Sequence, residues 1–223
     1  SREWWSHLVE TGVLGAPESF INKTPHMTFV RGEANVDFLR RRYEILKDEP
    51  LFADMEFSED PDVIAEWAPL LIDRRAKDDV FAATRSESGT DVDFGALTRQ
   101  LFAQLESTGV TIHLGQEVTK VVRQADGTWD VRVRNRAGYG ETTTNAKFVF
   151  VGAGGGALSL LQSSKIPEIE GFGGFPISGK FLKTTNPEIV EAHNAKVYGK
   201  AAVGAPPMSV PHLDTRIVNG KTS

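Results

Sequence analysis

Three residues whose side chains could act together alternate within one short segment: His212, Asp214 and Arg216. Alternate residues of a β-strand project to the same face, so a strand here would present all three on one surface. An imidazole can take up a proton near neutral pH, and a guanidinium binds a carboxylate through two charge-assisted hydrogen bonds. The pattern is compatible with a site that binds a dicarboxylate and removes a proton from it. A surface ladder of ion pairs would give the same pattern, so both interpretations stay open.

A second candidate cation, Arg85, lies in a polar segment that runs to Asp93. Its guanidinium could meet a substrate carboxylate, or it could pair with Glu87 or Asp91. Asp93 is a typical N-cap residue, and we expect it to begin the next helix. His26 is a weaker candidate for chemistry, because a histidine outside a recognised motif is usually structural or exposed.

A glycine-rich segment follows the apolar run Phe148, Val149, Phe150 and Val151. The run predicts a buried strand, and the glycines of residues 152–156 would let the backbone approach a ligand closely at the start of the next helix. The same segment could be no more than a tight strand-to-helix turn. It imitates part of the dinucleotide fingerprint, but no acidic residue ends a following strand about 20 residues further on.

Composition excludes several classes of site. The chain has 223 residues and no cysteine, which excludes disulfides, thiolate nucleophiles and cysteine-based metal sites. No two of its five histidines are four residues apart, so we predict no metal site. The formal net charge of −5 argues against nucleic acid as a partner. No apolar run approaches ~18 residues, so we expect no membrane-spanning helix, and no secretory signal is recognised. The absence of cysteine fits a reducing compartment.

The elements that must position these residues follow from periodicity and from capping and turn residues. Five segments predict regular structure clearly: helices over Arg2–Leu14, from Asn35, near Pro61–Trp67 and after Asp93, and a hairpin of Val118–Arg123 with Trp129–Val133. Val110–Leu114 alternates as a further strand, and the other strand candidates are Gly179–Thr184, Lys196–Val203 and Ser209–Val218. The order of elements in the middle of the chain predicts the second half of a dinucleotide-binding domain, flanked by a more antiparallel domain.

Several stretches of sequence, called words below, together and in this order resemble those of the malate:quinone oxidoreductases. Each word alone is modest, but the match covers nearly the whole chain. The words are Asn22–Met27, Gly89–Thr98, Val151–Leu158, and Lys196–Ala201 continued by Val210–Arg216.

This resemblance implies an FAD-dependent enzyme that oxidises malate to oxaloacetate in the tricarboxylic acid cycle and passes the electrons to a membrane quinone. It implies α/β plus α+β architecture like that of the amino-acid oxidases, in which part of a Rossmann-like FAD-binding domain accompanies a mixed or antiparallel substrate-domain sheet. We expect substrate-domain parts at residues 1–86 and 165–223 and the FAD-binding part at residues 87–164. A cytoplasmic location, with peripheral contact at the inner face of the cell membrane, would suit a quinone acceptor.

The resemblance also suggests roles for individual residues. His212 is the expected base, and Arg216 and Arg85 are the expected partners of the malate carboxylates. The expected FAD contacts are Val118, Gly152, Ala153 and Gly154.

Relatives of this family are about twice as long as this chain and carry the main FAD fingerprint elsewhere. We therefore expect an interior segment that binds FAD weakly or not at all and is inactive by itself. Two alternatives stay open: a related FAD-dependent dehydrogenase for another 2-hydroxy acid, and a non-catalytic folded module.

Overall fold

The computed structural model describes residues 2–76, 78–206 and 209–223. Its contacts divide the chain into two compact units: unit 1 comprises residues 1–109 and 179–223, and unit 2 comprises residues 110–178. The helices are α1 (Arg2–Glu10), α2 (Glu33–Leu46), α3 (Pro61–Trp67), α4 (Phe94–Ser107), α5 (Ala157–Ser163) and α6 (Pro187–Glu191). The strands are β1 (Ile21–Lys23), β2 (His26–Arg31), β3 (Met55–Ser58), β4 (Phe81–Ser86), β5 (Thr90–Val92), β6 (Gln116–Arg123), β7 (Trp129–Asn135), β8 (Glu141–Ala146), β9 (Lys196–Tyr198), β10 (His212–Asp214), β11 (Ile217–Val218) and β12 (Lys221–Thr222).

The main sheet of unit 1 has five strands in the order β10-β9-β2-β4-β3. Strand β2 runs parallel to β9, and the other neighbours are antiparallel. Both faces bury apolar side chains, each worth about 1.5–3 kcal/mol when fully removed from water. On one face the core contains Met27, Ile64, Ala68, Leu71, Phe81, Ala83, Ala195 and Val197. On the other, helix α2 packs through Val30, Val36, Leu39 and Ala82.

Helix α4 begins where the sequence predicts it. Asp93 is its N-cap, and the Asp93 side chain accepts a hydrogen bond of 2.9 Å from the Ala96 N–H. The helix ends before Gly109, whose φ of +87° places it in the left-handed region that favours glycine. Leu97 anchors α4 against Leu14 and Phe20 in a third buried cluster of unit 1. The predicted cap and helix are therefore confirmed.

Unit 2 contains the antiparallel meander β6-β7-β8, and helix α5 contacts β6. The predicted hairpin is confirmed, with Val118 opposite Val133 and Arg123 opposite Trp129. A register shift between Val118 and Lys120 leaves Thr119 without an opposite residue, which is typical of a β-bulge.

The predicted buried strand at residues 148–151 is wrong for this chain. These residues are not in a strand, and Phe148 and Phe150 are 78% and 84% exposed. Val110–Leu114 is likewise outside any strand, and Leu114 is exposed. A strand that is apolar on both faces needs neighbours to bond its backbone and cover its side chains. No described segment of unit 2 pairs with either of these two.

The strands predicted after residue 178 are shorter than expected. Strand β9 ends at Tyr198 and β10 at Asp214, while Gly179–Thr184 forms no strand. His212 and Asp214 are in one strand, as the alternation requires, but Arg216 lies beyond its end.

The predicted combination of helices with mixed and antiparallel sheets is confirmed. The unit boundaries fall at residues 109/110 and 178/179, and α4 belongs to unit 1. Compactness alone does not decide which segments serve a cofactor and which serve a substrate, so the predicted domain division stays a prediction. In the part of the chain that the structure describes, no helix is long and apolar enough to cross a membrane.

Candidate active site and cofactor cleft

One face of the unit 1 sheet carries polar and aromatic side chains across β2, β9 and β10. Strand pairing places His212 opposite Tyr198 and Asp214 opposite Lys196. It also places His26 opposite Lys196. Directly opposed residues project to the same face of a sheet, so these five side chains share one surface. The fold thus brings together His26 and His212, which are 186 positions apart in the sequence.

Tyr198 lies between the two histidine rings. Its ring centroid is 5.1 Å from that of His26, with the planes nearly parallel, and 4.6 Å from that of His212. The Nδ1 atom of His212 lies 3.5 Å from Oδ2 of Asp214. Contacts on two sides restrict the His212 ring, and a carboxylate next to Nδ1 favours the tautomer in which Nε2 can accept a proton. The arrangement is thus suited to general-base chemistry.

Burial and neighbouring charges shift the pKa values of two side chains on this surface, His26 and Tyr198. Partial burial lowers the pKa of His26, although the residue stays exposed to water on one side; the nearby cations Arg42 and Lys196 lower it further, while Asp214 opposes them. His26 is therefore neutral at pH 7. Burial raises the pKa of Tyr198, so its hydroxyl keeps its proton and can donate a hydrogen bond.

Arg216 reaches the same region through a buried carboxylate. Its Nη1 atom lies 2.9 Å from Oδ1 of Asp91, which is fully buried in β5. The ammonium of Lys196 lies 2.8 Å from the same oxygen. Asp91 Oδ2 accepts a hydrogen bond of 2.7 Å from the Ile217 N–H. One carboxylate therefore holds two cations and the backbone that follows β10.

Arg85 is not brought to this surface. In β4 it lies opposite Met27 of β2, which belongs to the core on the other face of the sheet. Its guanidinium pairs with Glu87 and lies 5.9 Å from the ring centroid of Trp67. Because neighbouring residues of a strand alternate between faces, Arg85 and His212 point to opposite sides. The geometry gives no support to a shared role for Arg85 and His212.

Three of the four residues predicted to contact a cofactor line one cleft in unit 2. The cleft measures about 920 Å³, within the range of small-molecule sites, and its walls include Val118, Gly152 and Ala153. Apolar side chains from the meander and from α5, among them Val121, Val131 and Leu160, form most of the remaining lining, and the charged pair Glu117 and Arg134 lies at the same cleft. Gly154 is next to this lining but not part of it.

The glycine-rich segment can approach a ligand closely. Gly154 has a φ of +51°, and an added Cβ there would meet no atom within 4 Å. A side chain at this position would therefore strain the backbone and enter open space. Helix α5 has only seven residues, so its dipole adds little to this argument. The fit to a flavin cofactor rests on the size of the cleft, its apolar walls and the bare backbone of residues 152–156.

Four residues of the unit 1 site were missed or ranked low when the sequence was considered alone: His26, Asp91, Lys196 and Tyr198. All four lie within the words that carry the family resemblance, which was a usable signal. Among the described residues, no group of three or more His, Asp or Glu side chains is arranged to hold a metal ion.

Comparison with known proteins adds an independent line. The family model for malate:quinone oxidoreductase (Mqo) matches residues 1–223. Probable malate:quinone oxidoreductases from Leifsonia xyli and Micrococcus luteus are 63% and 57% identical over 223 residues. A third, from Geobacillus kaustophilus, is 54% identical over 221 residues. These matches cover 99–100% of this chain but only 44–45% of the relatives, so the chain spans less than half of their length.

Among solved structures, an FAD-bound L-alpha-glycerophosphate oxidase from Mycoplasma pneumoniae matches 66% of this chain and 36% of its own. The sequence identity is 19% and the TM-score 0.47. Similarity at this level does not separate one fold family from another.

Proposed function

The chain belongs to the malate:quinone oxidoreductase family, and from this membership we propose that the complete protein oxidises malate to oxaloacetate with FAD and passes the electrons to a membrane quinone. The observation that carries the proposal is the match of the family model to all 223 residues. The names of the relatives support both substrates.

In this proposal the polar surface of unit 1 binds malate. His212 accepts the hydroxyl proton, with its ring restricted by Tyr198 and Asp214. Arg216 binds a substrate carboxylate, since its guanidinium is about half exposed although one nitrogen is held by Asp91. The Tyr198 hydroxyl can donate a hydrogen bond to a substrate oxygen.

The cleft of unit 2 is the proposed contact region for the cofactor. FAD, when bound, would supply the acceptor for the hydride that leaves malate C2 and would pass the electrons on to quinone. Val118, Gly152 and Ala153 would contact it from the cleft wall. Gly154 would keep the backbone free of a side chain next to it.

We further propose peripheral contact with the cytoplasmic face of the cell membrane. The support is the quinone named in the relatives' descriptions, because respiratory quinones are dissolved in the bilayer. Arg85 has no place in this proposal, since its guanidinium lies on the opposite face of the sheet.

The test is turnover by the purified complete protein. Oxaloacetate formation is measured with malate and a soluble quinone analogue, alongside the flavin absorbance spectrum. Lactate and other 2-hydroxy acids are measured in parallel. Malate oxidation with bleaching of a bound flavin is the expected result. Oxidation of a monocarboxylic 2-hydroxy acid in preference to malate would identify a related dehydrogenase instead, and a protein without flavin or turnover would contradict the proposal altogether.

A further inference from the structure

Asp91 joins three separate parts of unit 1. It lies in β5, while its ionic partners are Lys196 in β9 and Arg216 after β10. The carboxylate is fully buried and also accepts the Ile217 N–H. Removing a carboxylate from water is costly, and the two cations and the backbone donor offset that cost.

The two cations differ in what they leave available. The side chain of Lys196 is 9% exposed, and its ammonium also approaches the Thr215 carbonyl oxygen, at 3.4 Å. The side chain of Arg216 is 46% exposed, and its ion pair with Asp91 is made through Nη1, 2.9 Å from Oδ1. A guanidinium has five N–H donors in a fixed plane, so holding one edge orients the other. Lys196 is thus committed to the interior, whereas Arg216 retains donors for a ligand.

We propose that Asp91 is the positioning residue for the malate-binding guanidinium: it anchors one edge of Arg216 so that the other edge presents a planar, two-point contact to a substrate carboxylate. This inference rests on the proposed function of the site. Lys196 balances the charge of Asp91, so that Arg216 keeps a net attraction for an anion.

The neighbouring carboxylate of Asp93 provides a control that distinguishes positioning of Arg216 from structural support of the chain. Asp93 also holds the segment after β10, because its Oδ2 accepts a hydrogen bond of 2.7 Å from the Asn219 N–H. The corresponding bond from Ile217 to Asp91 has the same length. Asp93 caps α4 through its other oxygen and has no ion pair with Arg216. The two aspartates are therefore matched in the bond that each makes to the segment after β10, and only Asp91 also pairs with the cations Lys196 and Arg216.

The experiment compares Asp91→Asn and Asp93→Asn in the complete enzyme with its flavin. Asp91→Asn leaves the buried Lys196 ammonium unpaired, so the double variant Asp91→Asn/Lys196→Met is made as well, to remove both buried charges together. For each variant kcat and KM for malate, flavin content and thermal midpoint are measured, and malate is titrated calorimetrically.

We expect both Asp91 variants to raise KM and the dissociation constant for malate about tenfold or more, with kcat within about threefold of the parent, because a misaligned guanidinium weakens ground and transition states alike. Asp93→Asn should lower the thermal midpoint and leave KM within about twofold of the parent. Its single amide oxygen cannot accept both the Ala96 and the Asn219 N–H, and no guanidinium contact is lost.

Equal KM values for the parent and the folded Asp91 variants would overturn the inference. So would a KM increase in Asp93→Asn as large as that in Asp91→Asn. If neither Asp91 variant yields a folded flavoprotein, the carboxylate is a structural group and the inference is rejected. A parent enzyme that neither binds nor oxidises malate would instead reject the proposed function, which the titration of the parent alone reveals.

Discussion

The two units of this chain differ in how many apolar side chains each buries within itself. Of the sixteen buried apolar residues in the described part of the chain, fifteen belong to unit 1, and only Val121 belongs to unit 2. Both units expose large apolar side chains, such as Leu51 and Leu182 in unit 1 and Leu114, Phe148 and Phe150 in unit 2, but unit 2 has almost no buried ones beside them. With a single buried apolar residue among those described, unit 2 is expected to need another segment or partner to cover its apolar side chains.

The same difference distinguishes the proposed malate site in unit 1 from the proposed cofactor cleft in unit 2. In unit 1 the residues proposed for malate already contact one another and lie on a sheet with covered apolar faces. In unit 2 the cleft proposed for the cofactor lies beside unpaired apolar segments. We therefore expect the substrate side to be formed within this chain and the cofactor side to depend on residues outside it.

The largest expected effect tests whether the polar surface of unit 1 is catalytic. In the complete enzyme, His212→Ala should lower turnover of malate about 10²–10⁴-fold, the usual loss when a general base is removed. Flavin content should stay unchanged, and the pH profile of kcat/KM should lose one limb. His113→Ala, at an exposed histidine of unit 2, is the control. Near-normal turnover of His212→Ala would show that the surface is only a polar ladder.

A matched pair of leucines tests the difference in core formation. Leu39 is fully buried in unit 1, whereas Leu114 in unit 2 is 86% exposed. Leu39→Ala should lower the free energy of unfolding of this chain by about 2–5 kcal/mol, and Leu114→Ala by less than about 0.5 kcal/mol. Urea unfolding of the chain measures both values. If both substitutions lower the free energy of unfolding of this chain by the same small amount, the expected core around Leu39 is contradicted. In the complete protein, a large loss of stability in Leu114→Ala would show that another segment covers Leu114 there.

A pair of arginines tests which face of the unit 1 sheet meets substrate. Arg216→Lys in the complete enzyme should raise KM for malate about tenfold, because an ammonium cannot reproduce the planar two-point contact. Arg85→Lys should change KM little, since its guanidinium lies on the opposite face with Glu87 and Trp67. Steady-state kinetics at saturating quinone measure both, and a larger effect at Arg85 would return that residue to the site.

Two glycines of unit 2 test the cofactor cleft. Gly154 and Gly127 both have positive φ and open space around an added Cβ, so valine strains the backbone similarly at each, by about 1–2 kcal/mol. Only Gly154 is next to the cleft lining. In the complete enzyme Gly154→Val should reduce flavin occupancy and Gly127→Val should not, as judged by the ratio of flavin to protein absorbance. Full occupancy in Gly154→Val would make the turn purely structural.

The smallest expected effect concerns His26. Burial and the cations Arg42 and Lys196 hold its pKa below the ordinary value of 6.5, so the unfolded chain binds this proton more readily than the folded chain. Stability therefore rises with pH through the window just below 6.5 and is lost as pH falls through it. His26→Gln should flatten that slope by less than about 1 kcal/mol, because much of the ring is accessible to water. Urea unfolding near pH 5.5 and pH 7.5, about one unit either side of the ordinary histidine pKa, measures how the free energy of unfolding changes with pH. The same pH dependence in His26→Gln and in the parent would contradict the expectation.

Much of the local structure was predictable because its causes are local. The cap at Asp93, the helix after it and the hairpin of β6 and β7 depend on residues within a few positions of one another. The strand expected at residues 148–151 failed for a physical reason of another kind. A strand is stabilised by neighbours that are distant in sequence, and here the described chain supplies none.

For the site, the sequence by itself determined the family, through words whose residues could be compared one by one. It also determined that His212 and Asp214 share a face, because alternation is a property of the strand that contains them. It could not determine that His26 and Tyr198 join them, since that depends on the parallel pairing of β2 with β9.

Tertiary structure decided which of the two arginines lies at the polar surface. Arg85 and Arg216 are equally plausible ligands for a carboxylate when only their residue type is considered. The register of β4 directs Arg85 to the opposite face, and the burial of Asp91 draws Arg216 to the polar surface. A charged side chain takes its role from the charges and the solvent that the fold places around it, and for Arg216 the decisive carboxylate, Asp91, lies more than a hundred positions away in the sequence.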